Sequence, residues 1–368
     1  VTGAAAVYLV DYYSETVKGA PVKVTGAIYV PAGWAPAGGW PVVSWAHPTG
    51  GTNQKCAPSL DPSTAVPNID ALLAKHWEVV ATDYQGEANS NILSPSPGLL
   101  PYLVGVSAAR NTVDIVRAAR HLPAAHASSR YVVWGWSEGG QAAMFALEIA
   151  KAYGSGLKLE GVLAMAPPSN FGTEIPYVET TGSDWPLLFL AVGGLHAGYG
   201  NTLAPSSAVL TARGQADLSL LSTRCLNTLA VTLVGQGFST VFKFPQGGSL
   251  SSLPATWHAL INQNDPANSA NLATTEATVP LVIASGSQDT VVDPATTASL
   301  ANEMCALHSP QNLERWVYAG LGHDVDVSAT INDFLAWTAD RFAGDPSPGS
   351  YDPTGSPANR ASVSNICG

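Results

Sequence analysis

The chain has 368 residues, with 16 basic against 27 acidic side chains, a formal net charge of −11 and only 12 % charged residues. That length can bury a large core, as one enlarged domain or as two. The acidic balance argues against nucleic acid, which wants basic patches, and leaves no polybasic membrane anchor.

The longest apolar run, Pro186 to Leu195, falls well short of the ~20 residues that a membrane-spanning helix needs. Numbering begins at Val1 with no initiator methionine, as expected of a processed mature chain. Cys56, Cys225, Cys305 and Cys367 lie far apart, with no C-x-x-C spacing and no histidine at zinc-ligand distance. No metal is expected, nor any other cofactor. Four widely spaced cysteines instead suggest two disulfides and an oxidising compartment, with three pairings open.

In chain order, Ala4 to Tyr13 and Val22 to Val30 read as an antiparallel pair around the turn Lys18-Gly19-Ala20-Pro21. Pro41 to Ala46 is a short buried strand ending in the irregular stretch His47-Pro48-Thr49-Gly50-Gly51-Thr52. A helix near Ile69 to His76, a strand from Trp77 to Thr82 and a long helix from about Tyr102 to His121 follow. Tyr131 to Trp134 is a β-favouring run, and Gln141 begins a helix that continues to about Tyr153. The strand Gly161 to Met165 completes a rhythm of alternating strands and helices, which implies a parallel sheet with right-handed crossovers.

That rhythm breaks between Ser169 and Ala277, where apolar helical stretches (Trp185 to Ala197, Leu218 to Val234, Leu253 to Ile261) occur without a convincing strand. It resumes with a strand to Ala284, a helix from Ala295 to Leu307, a strand from Leu313 to Tyr318 and a helix from Val327 to Phe342. The expected organisation is a core in two parts, residues 1–168 and 278–343, a helical cap at 169–277, and a tail at 344–368. The tail is Pro/Gly/Ser-rich and would be disordered by composition.

Gly135-Trp136-Ser137-Glu138-Gly139-Gly140 places G-x-S-x-G where a strand turns into a helix, the context of a nucleophile elbow. A serine hydroxyl needs a general base. In the α/β-hydrolase arrangement the order along the chain is serine, acid, histidine, each at the end of a strand. Asp289 follows the strand ending at Ala284, and His323 follows the one ending at Tyr318. Asp293 is the rival acid; Asp324 and Asp326 read as loop or cap residues. His121, His126, His196, His258 and His308 lack the strand-end context. Oxyanion donors are expected from the N–H of Glu138 and from the loop after the third strand. Pro48 there has no N–H, which leaves Thr49, with Gly50 behind it.

With these residues the chain resembles the secretory lipase family, of the lipase-A type. The matching pieces are the Gly135–Gly140 elbow, the loop Gln288-Asp289-Thr290-Val291-Val292, Gly322-His323, and the oxyanion loop running into Lys55-Cys56-Ala57-Pro58-Ser59. The resemblance covers roughly Tyr8 to Phe342. It implies an α/β-hydrolase fold with a helical cap and a secreted serine hydrolase acting on acylglycerols and simpler esters. It also implies disulfides Cys56–Cys225 and Cys305–Cys367. The chain departs from yeast members in having Thr49 where they carry an acidic residue and Glu138 where they carry glycine.

The expected reaction is hydrolysis of a small-molecule or lipid ester through an acyl-enzyme, with at most transient contact with a lipid interface. Esterases for aryl, hydroxycinnamoyl or polyester substrates, and acyltransferases, share the same triad. A non-enzymatic binding protein on this fold would not need a complete, correctly ordered triad.

Overall fold

The computed structural model describes residues 1–94, 98–248, 250–272, 277–307, 312–324, 330–345 and 360–364. Among the described residues nine strands form a single sheet in the order β1-β2-β4-β3-β5-β6-β7-β8-β9. These are β1 (Ala4–Glu15), β2 (Pro21–Pro31), β3 (Trp40–Ala46), β4 (Glu78–Thr82), β5 (Ala127–Trp136), β6 (Lys158–Met165), β7 (Leu281–Gly286), β8 (Leu313–Tyr318) and β9 (Arg360–Ser364). The six strands from β4 to β8 in that order run parallel. Antiparallel strands close both edges: β1 and β2 on one side, β9 on the other. This is an α/β-hydrolase fold.

Burial follows position in the sheet. Central β7 is buried at every residue, because helices cover both its faces, whereas edge strand β1 alternates with solvent. On one face pack α2 (Gly105–His121), α3 (Glu138–Tyr153) and α12 (Pro294–Met304), through Val113, Val116, Phe145, Leu147 and Leu300. On the other lie α1 (Ile69–Leu73) and α13 (Ile331–Ala343), through Leu72, Leu73, Phe334 and Trp337.

Between β6 and β7 the chain forms α4 (Phe171–Thr180), α5 (Pro186–Tyr199), α6 (Ser206–Val209), α7 (Ala212–Asp217), α8 (Leu226–Gln236), α9 (Phe238–Val241), α10 (Ala255–Gln263) and α11 (Ser269–Leu272). These helices share a third core, including Phe189, Leu190, Leu229, Phe238 and Trp257. The pairing within it among the described residues is an isolated bridge, Leu210 to Phe242. Helix α5 is 14 residues long, and no described helix is long and apolar enough to cross a membrane.

Two expectations need correction. The long helix begins at Gly105, not Tyr102, because Leu103 adopts φ 57° and breaks the helical path. Residues 360–364 are not disordered; they pair antiparallel with β8 from Arg315 to Tyr318. Composition missed this strand because backbone hydrogen bonding to an open sheet edge needs no hydrophobic run. The remainder of the tail from residue 346, Cys367 included, lies outside the described residues, as do His308 and Asp326.

Candidate active site

The elbow is built by close approach. Ser137 takes φ 58° and ψ −118° as the residue capping α3, and its N–H donates to Met165 O at 2.8 Å. A Cβ on Gly139 would sit 1.8 Å from Ala46 O, and one on Gly135 would sit 1.9 Å from Gly139 O. No side chain fits either place, so glycine is what allows α3 to start directly against the end of β3. The strain at Ser137 is of order 1–3 kcal/mol and holds its hydroxyl above the sheet edge.

Loops from three strand ends then converge. His323 Nε2 lies 2.9 Å from Ser137 Oγ, and His323 Nδ1 lies 2.8 Å from Asp289 Oδ2. Asp289 is buried, and its other oxygen accepts the N–H groups of Val291 and Val292 at 2.8 and 2.9 Å. Tyr177 donates its hydroxyl to Asp289 O at 2.7 Å, and the Trp136 indole donates to His323 O at 2.8 Å. Asp293 instead caps α12 by accepting from Ala295 N. His121, His126 and His258 are exposed, with His126 at the opposite end of β5, and His196 Nδ1 pairs with Ala204 O at 2.8 Å.

Glu138 N–H is the first of α3 and so lacks an acceptor within the helix. Thr49 lines the same space as Ser137, and its hydroxyl meets Tyr102 OH at 2.9 Å. The loop carrying Thr49 is fastened to the helical segment between β6 and β7. Cys56 and Cys225 are disulfide-bonded with Cα atoms 5.5 Å apart. Leu226 N donates to Gly50 O at 2.8 Å, Thr52 Oγ1 to Leu221 O at 3.0 Å, and Asn53 Nδ2 to Leu221 O at 2.9 Å. Cys305 is also disulfide-bonded; its expected partner Cys367 lies outside the described residues.

Behind this loop is a cluster that the sequence did not announce. Glu138 and Glu87 are buried, and no oxygen of either meets a hydrogen-bond donor. Burial pushes both carboxyls well above the usual carboxylate range, and for Glu87 the charge of Glu138 adds to the shift. Burial lowers His47 to about 4. Neutral His47 presents Nδ1–H to Pro48 O at 2.7 Å, which leaves a bare Nε2 lone pair 3.3 Å from Glu87 Oε2. A protonated Glu87 can donate to that lone pair, so the contact is a neutral pair and not an ion pair. Glu87 sits in a loop far from any motif, and proximity to His47 exists only in the fold. No group of three or more histidine, cysteine, aspartate or glutamate side chains among the described residues could hold a metal ion.

Ser137 also faces an apolar space of about 660 Å³, walled by Leu103, Phe171, Ile175, Val178, Leu188 and Leu195 among others. Leu188 lines it, while Phe189 is fully buried in the core shared by the helices between β6 and β7. Glu174 lies in the same wall, where burial raises it to about 8.

A strained serine at a helix N-terminus, in contact with a histidine that is in turn held by a buried aspartate, thus lies beside an apolar space on an α/β-hydrolase fold, and the comparisons with known proteins support a carboxylic ester hydrolase. Residues 63–349 match the model of the secretory lipase family, and the chain belongs to that family. Among solved structures, Candida antarctica lipase A in its closed state is similar with a TM-score of 0.74 and 19 % identity, covering 98 % of this chain and 82 % of that one. LipA, a rice cell wall degrading esterase from Xanthomonas oryzae, gives 0.69 and 18 %, over 92 % and 88 % of the two chains. A putative hydrolase from Legionella pneumophila gives 0.64 and 17 %, over 92 % and 87 %. No curated protein matches the sequence.

Proposed function

We propose that this protein is a secreted serine esterase or lipase that cleaves lipid or medium-chain esters through an acyl-enzyme. The observation that carries the reading is the unbroken contact from Ser137 through His323 to Asp289 at the mouth of an apolar space. Ser137 Oγ attacks the ester carbonyl as His323 Nε2 takes its proton, and the N–H groups of Glu138 and Thr49 receive the developing oxyanion. The carbon–oxygen bond to the alcohol breaks, and His323 returns the proton to the departing alkoxide. His323 then takes a proton from water as it attacks the acyl carbonyl, and hands that proton to Ser137 Oγ as the bond from Oγ to the acyl carbon breaks, releasing the acid and regenerating Ser137 and neutral His323. Asp289 holds the imidazole tautomer and stabilises its charged form.

Leu188 and its neighbours supply apolar contact for an acyl chain, worth about 0.8 kcal/mol per methylene buried. We assign the helices of residues 169–277 to a cap over this site, and place the protein outside the cytoplasm, a reading supported by the family and by the Cys56–Cys225 bridge.

The test is labelling with a serine-directed fluorophosphonate together with rates on p-nitrophenyl esters of increasing acyl length. Wild type should label and favour chains longer than acetate; Ser137→Ala should do neither. Labelling that persists in Ser137→Ala overturns the assignment.

A further inference from the structure

Ser137 borders a second space besides the apolar one, of about 930 Å³, walled by Thr49, Trp136, Asp184, Asn227, His323 and Asp324 among others. His323 lines this second space and not the first. In acyl transfer the histidine must hand its proton to the departing alkoxide, so the alcohol has to lie where the imidazole can reach it. That requirement rests on the Ser137–His323 chemistry proposed above, and it divides the site: acyl chain in the apolar space, alcohol in the second.

The two walls differ in charge. The alcohol side carries the carboxyls of Asp184 and Asp324, and among its described lining residues there is no lysine or arginine to offset them. Asp184 is half-buried beside the start of α5 and within electrostatic reach of His323. A half-buried carboxylate is screened less than a surface one. The formal net charge of −11 adds a field of the same sign. Trp136 lines the same wall, with its indole N–H given to His323 O, so it adds no cation to offset the carboxyls.

We propose that the protein selects substrates by charge on the alcohol side, taking apolar acyl esters of neutral or cationic alcohols and rejecting those whose alcohol part is anionic. The acyl side imposes no such condition on the alcohol, because the two spaces meet only around Ser137, Leu187 and Val291.

Three butyrate esters of similar size separate charge from shape: butyrylcholine, its uncharged carbon analogue 3,3-dimethylbutyl butyrate, and the butyrate ester of isethionate. kcat/KM is measured for each at low and high salt, in wild type, Asp184→Asn and Asp324→Asn. Taking each variant-to-wild-type ratio cancels the intrinsic reactivity of the leaving group. At low salt the isethionate ester should gain about fivefold relative to the neutral ester in Asp184→Asn, the choline ester should lose by a similar factor, and high salt should shrink both changes. Ratios that are equal for all three esters in both variants overturn the charge selection while leaving ester hydrolysis standing, provided wild type cleaves the neutral ester. Failure of wild type to cleave any of the three overturns both readings. Asp324→Asn, on an exposed residue, keeps the comparison available if Asp184→Asn does not fold.

Discussion

Asp289 and Glu138 are both buried carboxyl side chains, one hydrogen-bonded to His323 and the other one residue beyond Ser137. Asp289 receives three donors: His323 Nδ1 on one oxygen, and the Val291 and Val292 amides on the other. Glu138 receives none in hydrogen-bonding geometry, and burial drives it towards the neutral acid. The depth is the same and the donor count is opposite, three for Asp289 and none for Glu138. The arrangement suits the chemistry. Negative charge is useful behind an imidazole that becomes cationic, and harmful beside a developing oxyanion.

The same change, carboxyl to amide, should therefore have opposite consequences at the two positions. Asp289→Asn should lower turnover by about 10⁴, because the amide favours the wrong imidazole tautomer. Asp293→Asn should leave turnover near wild type, since that carboxyl caps α12. Glu138→Gln replaces one neutral group by another and should keep kcat/KM within a few-fold at neutral pH, whereas Glu138→Ala should lower kcat by opening a void in a buried place one residue beyond Ser137. Steady-state rates on one p-nitrophenyl ester check all four. A collapse in Glu138→Gln with an active Asp289→Asn would reverse the comparison.

The second test loosens the Glu138 side alone. The Cys56–Cys225 bridge spans a sequence separation of 169, and the chain-entropy model gives about 5 kcal/mol for a loop of that size. Paired replacement by serine should lower the denaturation midpoint accordingly. Turnover should also fall while KM for short esters stays, because Gly50, Thr52 and Asn53 hold the loop to the cap next to the bridge. Full turnover in a folded double variant would show that the hydrogen bonds position Thr49 without the disulfide.

What the sequence disclosed follows the same division. Ser137, Asp289 and His323 each follow the end of a strand whose apolar run is readable locally. The oxyanion donors that we propose rest on a local reading of the chain, since proline at 48 has no N–H. Glu87, His47, Tyr102 and Asp184 were not readable as partners. They come from loops or helix starts whose approach depends on how the cap and the sheet edge pack, and no periodicity encodes that. Strand β9 escaped for a related reason, because its pairing is supplied by the exposed edge of β8.

The smallest expected effect concerns stability against pH, and its sign follows from proton counting. A carboxyl whose folded pKa lies above its unfolded value binds more protons when folded, so its contribution is complete below about pH 4.5 and is lost as pH rises towards the folded pKa. Glu138 and Glu87 both act in that direction. His47 acts oppositely: lowered to about 4, it contributes above its ordinary value near 6.5 and loses that contribution as pH falls. Melting temperatures measured between about pH 6.5 and 8.5 therefore lie outside the histidine window and isolate the carboxyls. Glu78 and Glu174, raised to about 9 and about 8 by burial, also titrate there, but they are present in every variant and cancel in the difference. Wild type should lose stability across the interval, and Glu138→Gln and Glu87→Gln should each lose less, gaining on wild type by a few degrees at the alkaline end. The Glu138 variant should gain least when Glu87→Gln is already present, because the charge of Glu138 is one of the causes that raise Glu87. Parallel pH curves for wild type and both variants would mean that these carboxyls find donors after all, and the contrast with Asp289 would disappear.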